Sequence, residues 1–160
     1  MELDKIKGSF RNGYGDAFKE YIIKDLDYII ECIKFKIKFN IRPSRVNVTD
    51  IHSPGAKAHT DAWPASLNLY FNASGGEDIT TFYERQNDNQ IDVGAVKRFN
   101  ETDLIPIATF TANQGDCYLL NTFIPHSVEL KQPNDVRTIL RFTWLDTSFE
   151  EVLKSIQLLG

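Results

Sequence analysis

The strongest β-strand signal in the chain is RTILRFTW, at residues 137–144. This run is rich in β-branched and aromatic residues, which favour a pleated, half-buried backbone. Five shorter runs of the same kind precede it: RVNVT at 45–49, SLNLYF at 66–71, TTFY at 80–83, IPIATF at 105–110 and CYLL at 117–120. Glycine, asparagine, aspartate and proline separate these runs. The pattern predicts a β-sandwich or barrel over residues 44–146.

Two segments outside this region have helical features. Between residues 16 and 38, apolar side chains recur at three- and four-residue steps, which predicts a helix with one buried face. Alternation over residues 34–39 indicates that this helix gives way to a strand. Ser148 is a potential N-cap followed by acidic residues, so a short helix is expected over residues 148–158. We therefore expect helical support within residues 1–40 and a short C-terminal helix.

Composition limits the functional classes. The length of 160 residues predicts a single domain, residues 1–160. The formal net charge is −4 and argues against general affinity for nucleic acid backbones. The apolar runs are too short for a membrane span, and the charged start MELDKIKGSF lacks the apolar core of a signal peptide. Cys32 and Cys117 have no metal-binding spacing, so we expect reduced cysteines and a cytoplasmic protein.

A small set of residues has the composition of a metal site. His59 and Asp61 are two residues apart, so on a strand they would point to the same side. His126 follows 65 residues after Asp61 and could return beside the pair in a β-sandwich. Two imidazoles and one carboxylate can occupy one face of an iron(II) ion, and also accept Mn(II), Co(II), Ni(II) or Zn(II). His52, the remaining histidine, is the substitute ligand if His126 does not take part.

An ordered series of motifs accompanies these ligands. It consists of AHTD at 58–61, LNLYFN at 67–72, GG at 75–76 with TFY at 81–83, GD at 115–116, PHSV at 125–128 and RT at 137–138. Together they resemble the iron(II)/2-oxoglutarate-dependent dioxygenases, in particular the prolyl-hydroxylase-like branch. The resemblance covers residues 45–145. It implies a double-stranded β-helix (jelly roll) and an oxygenase that uses Fe(II), 2-oxoglutarate and O₂.

The resemblance also assigns residues. It makes His59, Asp61 and His126 the iron ligands, and it implies that Arg137 and Tyr70 bind the distal carboxylate of 2-oxoglutarate. Arginine suits this task because its charge is permanent and its guanidinium binds carboxylates bidentately. Arg141 is four residues further along and faces the same side of the predicted strand. Either arginine could bind the co-substrate; spacing favours Arg137 and leaves Arg141 for a second anion.

The expected substrate is a small molecule, an amino acid or a peptide. Trp63 and Asn68 are candidate substrate contacts at the opening, and Arg141 is a third. The polar residues 84–101 predict a surface loop that could act as a lid. Two alternatives remain. One is a cupin-like metal enzyme without 2-oxoglutarate, and the other is a jelly-roll binding module with a non-catalytic metal site.

Overall fold

The computed structural model describes residues 10–12, 18–73, 77–93 and 96–159. Over these ranges the chain is mainly β. Its elements in chain order are β1 (Phe10–Asn12), β2 (Phe18–Ile22), α1 (Leu26–Ile33), β3 (Ile37–Phe39), β4 (Arg45–His52), β5 (Gly55–Thr60), β6 (Ala65–Ala73), β7 (Ile79–Arg85), β8 (Ile91–Val93), β9 (Val96–Arg98), β10 (Leu104–Thr111), β11 (Cys117–Asn121), β12 (His126–Glu129), β13 (Val136–Trp144), α2 (Phe149–Ser155) and β14 (Ile156–Leu158).

The strands form two six-stranded antiparallel sheets. The major sheet has the order β1-β2-β4-β13-β6-β11, and the minor sheet has the order β10-β7-β12-β5-β9-β8. Strands that are distant in sequence are neighbours, because the chain passes repeatedly from one sheet to the other. β13, for example, lies between β4 and β6. This arrangement is the predicted jelly roll, and the six predicted strand runs are confirmed as β4, β6, β7, β10, β11 and β13.

The main hydrophobic core lies on the outer face of the major sheet. Val48 of β4 and Leu140 and Phe142 of β13 are fully buried there, and α1 and α2 cover them with Ile29 and Val152. Burying one such side chain stabilises the fold by about 1.5–3 kcal/mol. Because this core is outside the space between the two sheets, the inner face of the major sheet is free to carry polar residues.

The inner face of the major sheet carries several polar residues although it is buried. Successive side chains of a strand point to opposite faces, so Asn47 and Thr49 alternate with the core valines of β4. Both are fully buried, and on β13 Arg137 and Arg141 are 1% and 6% exposed. Buried polar side chains add little to stability compared with apolar ones, so this face is suited to holding a ligand.

The N-terminal helix is shorter than predicted. Residues 18–22 form β2, which pairs antiparallel with β4, and the helix is confined to Leu26–Ile33. The three- and four-residue apolar steps were misleading because pairing with β4 outweighs local helical periodicity. Residues 37–39 form the strand β3 that alternation predicts. The predictions for residues 1–9 and 13–17 lie outside the described residues.

The polar segment 84–101 is also more ordered than predicted. It contains β8 and β9, and β9 extends the minor sheet by pairing with β5. Val96 and Phe99 are buried, so their apolar side chains attach this segment to the sheet. The prediction of a surface loop is therefore wrong for residues 91–93 and 96–98, which form strands. The apolar residues there are interspersed with polar ones and give no clear period.

The C-terminal helix is confirmed and begins as predicted. Ser148 caps α2: its side chain accepts a hydrogen bond from the Glu151 backbone N–H, and the Glu151 carboxylate accepts from the Ser148 backbone. Such a capping box satisfies two free donors of the first turn. The helix ends at Ser155, and residues 156–158 instead form β14, which pairs with β3. Among the described residues, the helices are too short and too polar to cross a membrane.

Candidate metal centre

The two strands that carry the histidines are neighbours in the minor sheet. β5 and β12 pair antiparallel, and His59 lies directly opposite His126. Their ring centroids are 4.5 Å apart. Asp61 follows the end of β5 and is fixed there because its backbone N–H donates to the Thr122 carbonyl at 2.9 Å. Sheet pairing therefore brings His126 beside His59 and Asp61, which are 67 and 65 positions away in sequence.

The three side chains can reach one ion. One ligand atom from each of His59, Asp61 and His126 lies within 4.8 Å of the others, and His59 Nε2 is 3.6 Å from Asp61 Oδ1. Only 17% of the His59 side chain and 9% of the Asp61 side chain are exposed, so the cluster is largely shielded from bulk water. The predicted ligand set is thus assembled in one place.

Hydrogen bonds prepare both imidazoles to act as ligands. His59 Nδ1 is 2.7 Å from the carbonyl oxygen of Lys57, and His126 Nδ1 is 2.9 Å from that of Ile124. A carbonyl can only accept, so each Nδ1 carries the proton and each Nε2 presents a lone pair. Metal-binding histidines commonly have such a partner on the other ring nitrogen, which fixes the ring orientation.

Electrostatics also favour a neutral, ligating His59. Burial, with a smaller contribution from His126, lowers the pKa of His59 from 6.5 to about 4, although Asp61 opposes the change. At neutral pH the ring is therefore unprotonated, and a cation does not have to displace a proton. Burial and the neighbouring imidazole both disfavour a protonated, cationic His59. A metal ion is different, because the Asp61 carboxylate offsets part of its charge and both imidazoles can bind it. The donor set therefore fits a divalent transition metal such as Fe(II).

A cleft between the sheets extends from these ligands to the inner face of the major sheet. It is partly open to solvent and is lined by the three ligands together with Asn68, Tyr70, Thr80, Arg137 and Arg141. Both arginines predicted from the sequence therefore face the cleft, as their four-residue spacing on β13 requires.

Arg137 lies at one side of the cleft and bridges the two sheets. Its Nη1 donates to Thr80 Oγ1 at 2.8 Å, and its Nε lies 3.4 Å from Asp78 Oδ2. Its guanidinium carbon is 5.5 Å from the centre of the Tyr70 ring. Within the described part of the chain, Arg137 Nη2 and Asp78 Oδ1 are buried without a hydrogen-bond partner. Leaving such a group unpaired costs about 1–3 kcal/mol, more for a charged one.

Arg141 lies further along β13 and is held by a different carboxylate. Its Nη2 donates to Glu20 Oε1 at 2.5 Å, and the same oxygen accepts from Asn47 Nδ2 at 2.8 Å. The Arg141 guanidinium carbon is 5.0 Å from the centre of the Trp63 ring and 5.7 Å from that of Phe18. The Arg141 charge also makes a small contribution to lowering the pKa of His59.

The other predicted residues occupy different positions. Tyr70 is buried beside Arg137, and burial raises the pKa of its hydroxyl. Asn68 is buried in the cleft wall, where its side-chain oxygen accepts from Ser66 Oγ at 2.8 Å. Trp63 lies against Arg141 and does not line the cleft itself. His52 ends β4 and does not belong to the three-residue cluster, so it is not needed as a substitute ligand.

Three residues that position the arginines could not be identified from sequence patterns. Asp78 and Thr80 precede or begin a predicted strand, and nothing in their spacing links them to residue 137. Glu20 lies in the segment predicted as helix, where it would have been an ordinary polar side chain. Only the pairing of β2 with β4 turns Glu20 inward.

Comparison with known proteins gives likeness of fold alone. No family model and no curated protein matches the chain. Among solved structures, an oxalate decarboxylase–formate complex from Lactobacillus farciminis is 11% identical, with 98% of this chain and 34% of that chain covered and a TM-score of 0.45. Vicilin from Corylus avellana (hazelnut) is 10% identical, with coverages of 87% and 31% and a TM-score of 0.46.

A third solved structure, the 7S globulin of Momordica charantia, is 8% identical, with 93% of this chain and 34% of that chain covered and a TM-score of 0.48. The chain spans about a third of the length of each of these proteins. At such values the neighbours say nothing about reaction or ligand, and they do not single out the iron(II)/2-oxoglutarate branch. The fold and the cluster together define a jelly-roll protein with a candidate site for a metal ion.

Proposed function

We propose that the protein is an Fe(II)- and 2-oxoglutarate-dependent oxygenase. It hydroxylates a C–H bond of an amino acid, peptide or other small molecule and releases succinate and CO₂. The observation that supports this proposal best is that the two imidazoles and the carboxylate open onto the same cleft as two buried arginines. Three protein ligands leave positions on a metal ion for a co-substrate and O₂.

The position of Arg137 supports a diacid as co-substrate. Arg137 binds Thr80, and Thr80 is two residues along β7 from Phe82, the residue that pairs with His126. Two residues of a strand span about 7 Å. The terminal carbons of an extended five-carbon diacid are roughly 5 Å apart, given C–C bonds of ~1.5 Å. Such a molecule can therefore bind between the His126 side of the cleft and Arg137.

The residues of the chain have distinct tasks in this proposal. His59, Asp61 and His126 hold the metal, which when bound supplies the activation of O₂. Arg137 binds the distal carboxylate through Nη2, the donor that has no partner within the described residues. The protein otherwise orients the substrate and keeps water from the reacting centre, since the hard chemistry belongs to the cofactor.

A second candidate, a cupin-like metal enzyme without 2-oxoglutarate, is favoured by one specific observation. Arg137 and Arg141 are each already near a carboxylate, that of Asp78 and that of Glu20. A carboxylate arriving at either arginine therefore meets a partly neutralised cation. In this alternative the arginines are structural and the cleft accepts a ligand that binds through the metal alone.

Anaerobic titration separates the two candidates. With Fe(II) and 2-oxoglutarate, the oxygenase proposal expects the weak visible metal-to-ligand charge-transfer band of the chelate. The band should be absent in His59→Ala and present in the matched variant His52→Ala, which removes a histidine outside the cluster. Arg137→Leu should raise the 2-oxoglutarate concentration needed for half-maximal absorbance at least tenfold. No band in the wild-type protein, despite bound metal, would leave the cupin-like alternative.

A further inference from the structure

Arg141 is a buried cation whose structural value is small. Its side chain is 8% exposed and pairs with Glu20, whose side chain is 12% exposed. Replacing a buried ion pair by apolar side chains of similar volume is often neutral or stabilising. Stability alone therefore does not account for an arginine on the inner face of the major sheet.

Arg141 retains hydrogen-bonding capacity that the described residues do not use. Arg141 lines the cleft, and its buried Nε–H has no partner among the described residues. Glu20 occupies Nη2 and is itself fixed by Asn47, so the guanidinium cannot rotate freely. Trp63 at 5.0 Å and Phe18 at 5.7 Å lie against it and limit its access to water. The head group is thus held in place, and its Nε–H is free of any partner within the described residues.

We infer that Arg141 binds the carboxylate of a small organic substrate, so that the substrate is held beside the metal ligands by its acid group. The inference deepens the proposed function, on which it rests for the oxidation of that molecule. The two arginines are four residues apart on β13, which is about 13 Å along the strand. That separation lets Arg137 bind the co-substrate and Arg141 the substrate without competition.

A carboxylate fits better than a more highly charged group. Glu20 offsets the charge of Arg141, so the pair has no net charge to attract a dianion such as a phosphate monoester. A monoanion can still accept from Nε–H in a charge-assisted hydrogen bond.

Trp63 provides a binding signal that does not depend on turnover. It lies on Arg141, whereas the other tryptophan, Trp144, is fully buried in the core on the outer face of the major sheet. We propose to titrate the Mn(II)-loaded protein, with and without saturating 2-oxoglutarate, with the twenty L-amino acids and a set of short carboxylic acids. The primary amide of each acid serves as the control that lacks the carboxylate charge. Emission of the Trp63→Phe variant shows which signal comes from Trp63.

At least one acid should change the Trp63 emission and bind tenfold or more tightly than its amide. Arg141→Gln should abolish this preference, whereas Arg137→Gln should change the Kd of the acid less than threefold. Glu20→Gln keeps an acceptor for Arg141 and removes the competing charge, so it should tighten acid binding threefold or more. A residue that only supports the fold would not produce this increase. Circular dichroism checks that each variant is folded.

Several results would overturn the inference. These are the binding of no acid, equal binding of acid and amide, loss of acid binding in Arg137→Gln, or weaker acid binding in Glu20→Gln. Loss of 2-oxoglutarate binding in Arg141→Gln but not in Arg137→Gln would instead make Arg141 the co-substrate anchor. Acid binding that persists in a protein without a 2-oxoglutarate charge-transfer band would leave the Arg141 site intact and refute only the proposed oxygenase.

Discussion

Replacing Asp78 with asparagine tests whether Arg137 is a buried cation that depends on a single counter-charge. The Arg137 side chain is 1% exposed and that of Asp78 is fully buried, with Arg137 Nε 3.4 Å from Asp78 Oδ2. Breaking a buried pair by removing one partner typically costs 3–5 kcal/mol, because it leaves an uncompensated charge. Asparagine keeps the shape and one acceptor, so we expect a loss of about 3 kcal/mol. The total free energy of unfolding of a globular protein is only about 5–15 kcal/mol.

Urea unfolding at pH 7 measures this loss in the metal-free protein. Asp88→Asn is the matched control, since Asp88 is 99% exposed and lies 3.8 Å from Arg85; its unfolding midpoint should equal that of the wild type. Saturating Mn(II) and 2-oxoglutarate should stabilise Asp78→Asn more than the wild type, because the incoming carboxylate replaces the lost charge. A loss below about 1 kcal/mol would refute the buried-cation argument. Equal ligand stabilisation would refute the role of Arg137 as the anchor.

Three further predictions concern the metal ligands and the strands that hold them. His59→Ala should weaken Mn(II) binding at least 100-fold as measured by calorimetry, whereas His52→Ala should weaken it less than threefold. Similar losses of affinity in the two variants would argue against the three-residue cluster as the metal site. Because His59 has a pKa of about 4 in the fold and 6.5 when unfolded, the unfolded chain binds the proton first as pH falls. The wild-type advantage over His59→Asn in metal-free urea unfolding should thus shrink by roughly 3 kcal/mol between pH 7 and pH 4, and a constant advantage would contradict the shift. Gly55→Ala should destabilise the protein by more than about 1 kcal/mol, because Gly55 has φ +107° and a Cβ would lie 2.0 Å from the Val128 carbonyl oxygen. The control Gly115→Ala should cost less stability, since Gly115 has φ +92° but open space around it. Equal losses of stability in the two variants would exclude the clash as the cause.

Much of the fold could be predicted from local patterns. The strand runs at 45–49 and 137–144 combine β-branched and aromatic residues, and such runs remain strands because both faces of the major sheet are buried. The helix after Ser148 was also predictable, since a capping box is a local signal. The prediction of helix over residues 18–22 was wrong, because its apolar spacing suits either structure and pairing with β4 selected the strand.

The candidate metal ligands could be proposed from residue type and spacing. Only three histidines are present, and the two-residue step between His59 and Asp61 is local information. That His126 joins them is a consequence of β5 and β12 becoming neighbours. No local pattern specifies which of two distant strands will pair, since the free energy of pairing depends on the packing of the whole sheet.

The sequence by itself determined the strand content, the C-terminal helix and the composition of the candidate metal site. These depend on side-chain chemistry and on contacts within a few residues. Only the tertiary structure decided that Asp78 and Glu20 accompany Arg137 and Arg141, 59 and 121 positions away in sequence. It also placed the main apolar core on the outer face of the major sheet and left between the sheets a cleft whose lining includes both arginines and the three candidate ligands. Burial of charge is a property of the assembled sheets, and for this reason no single stretch of the chain could reveal it.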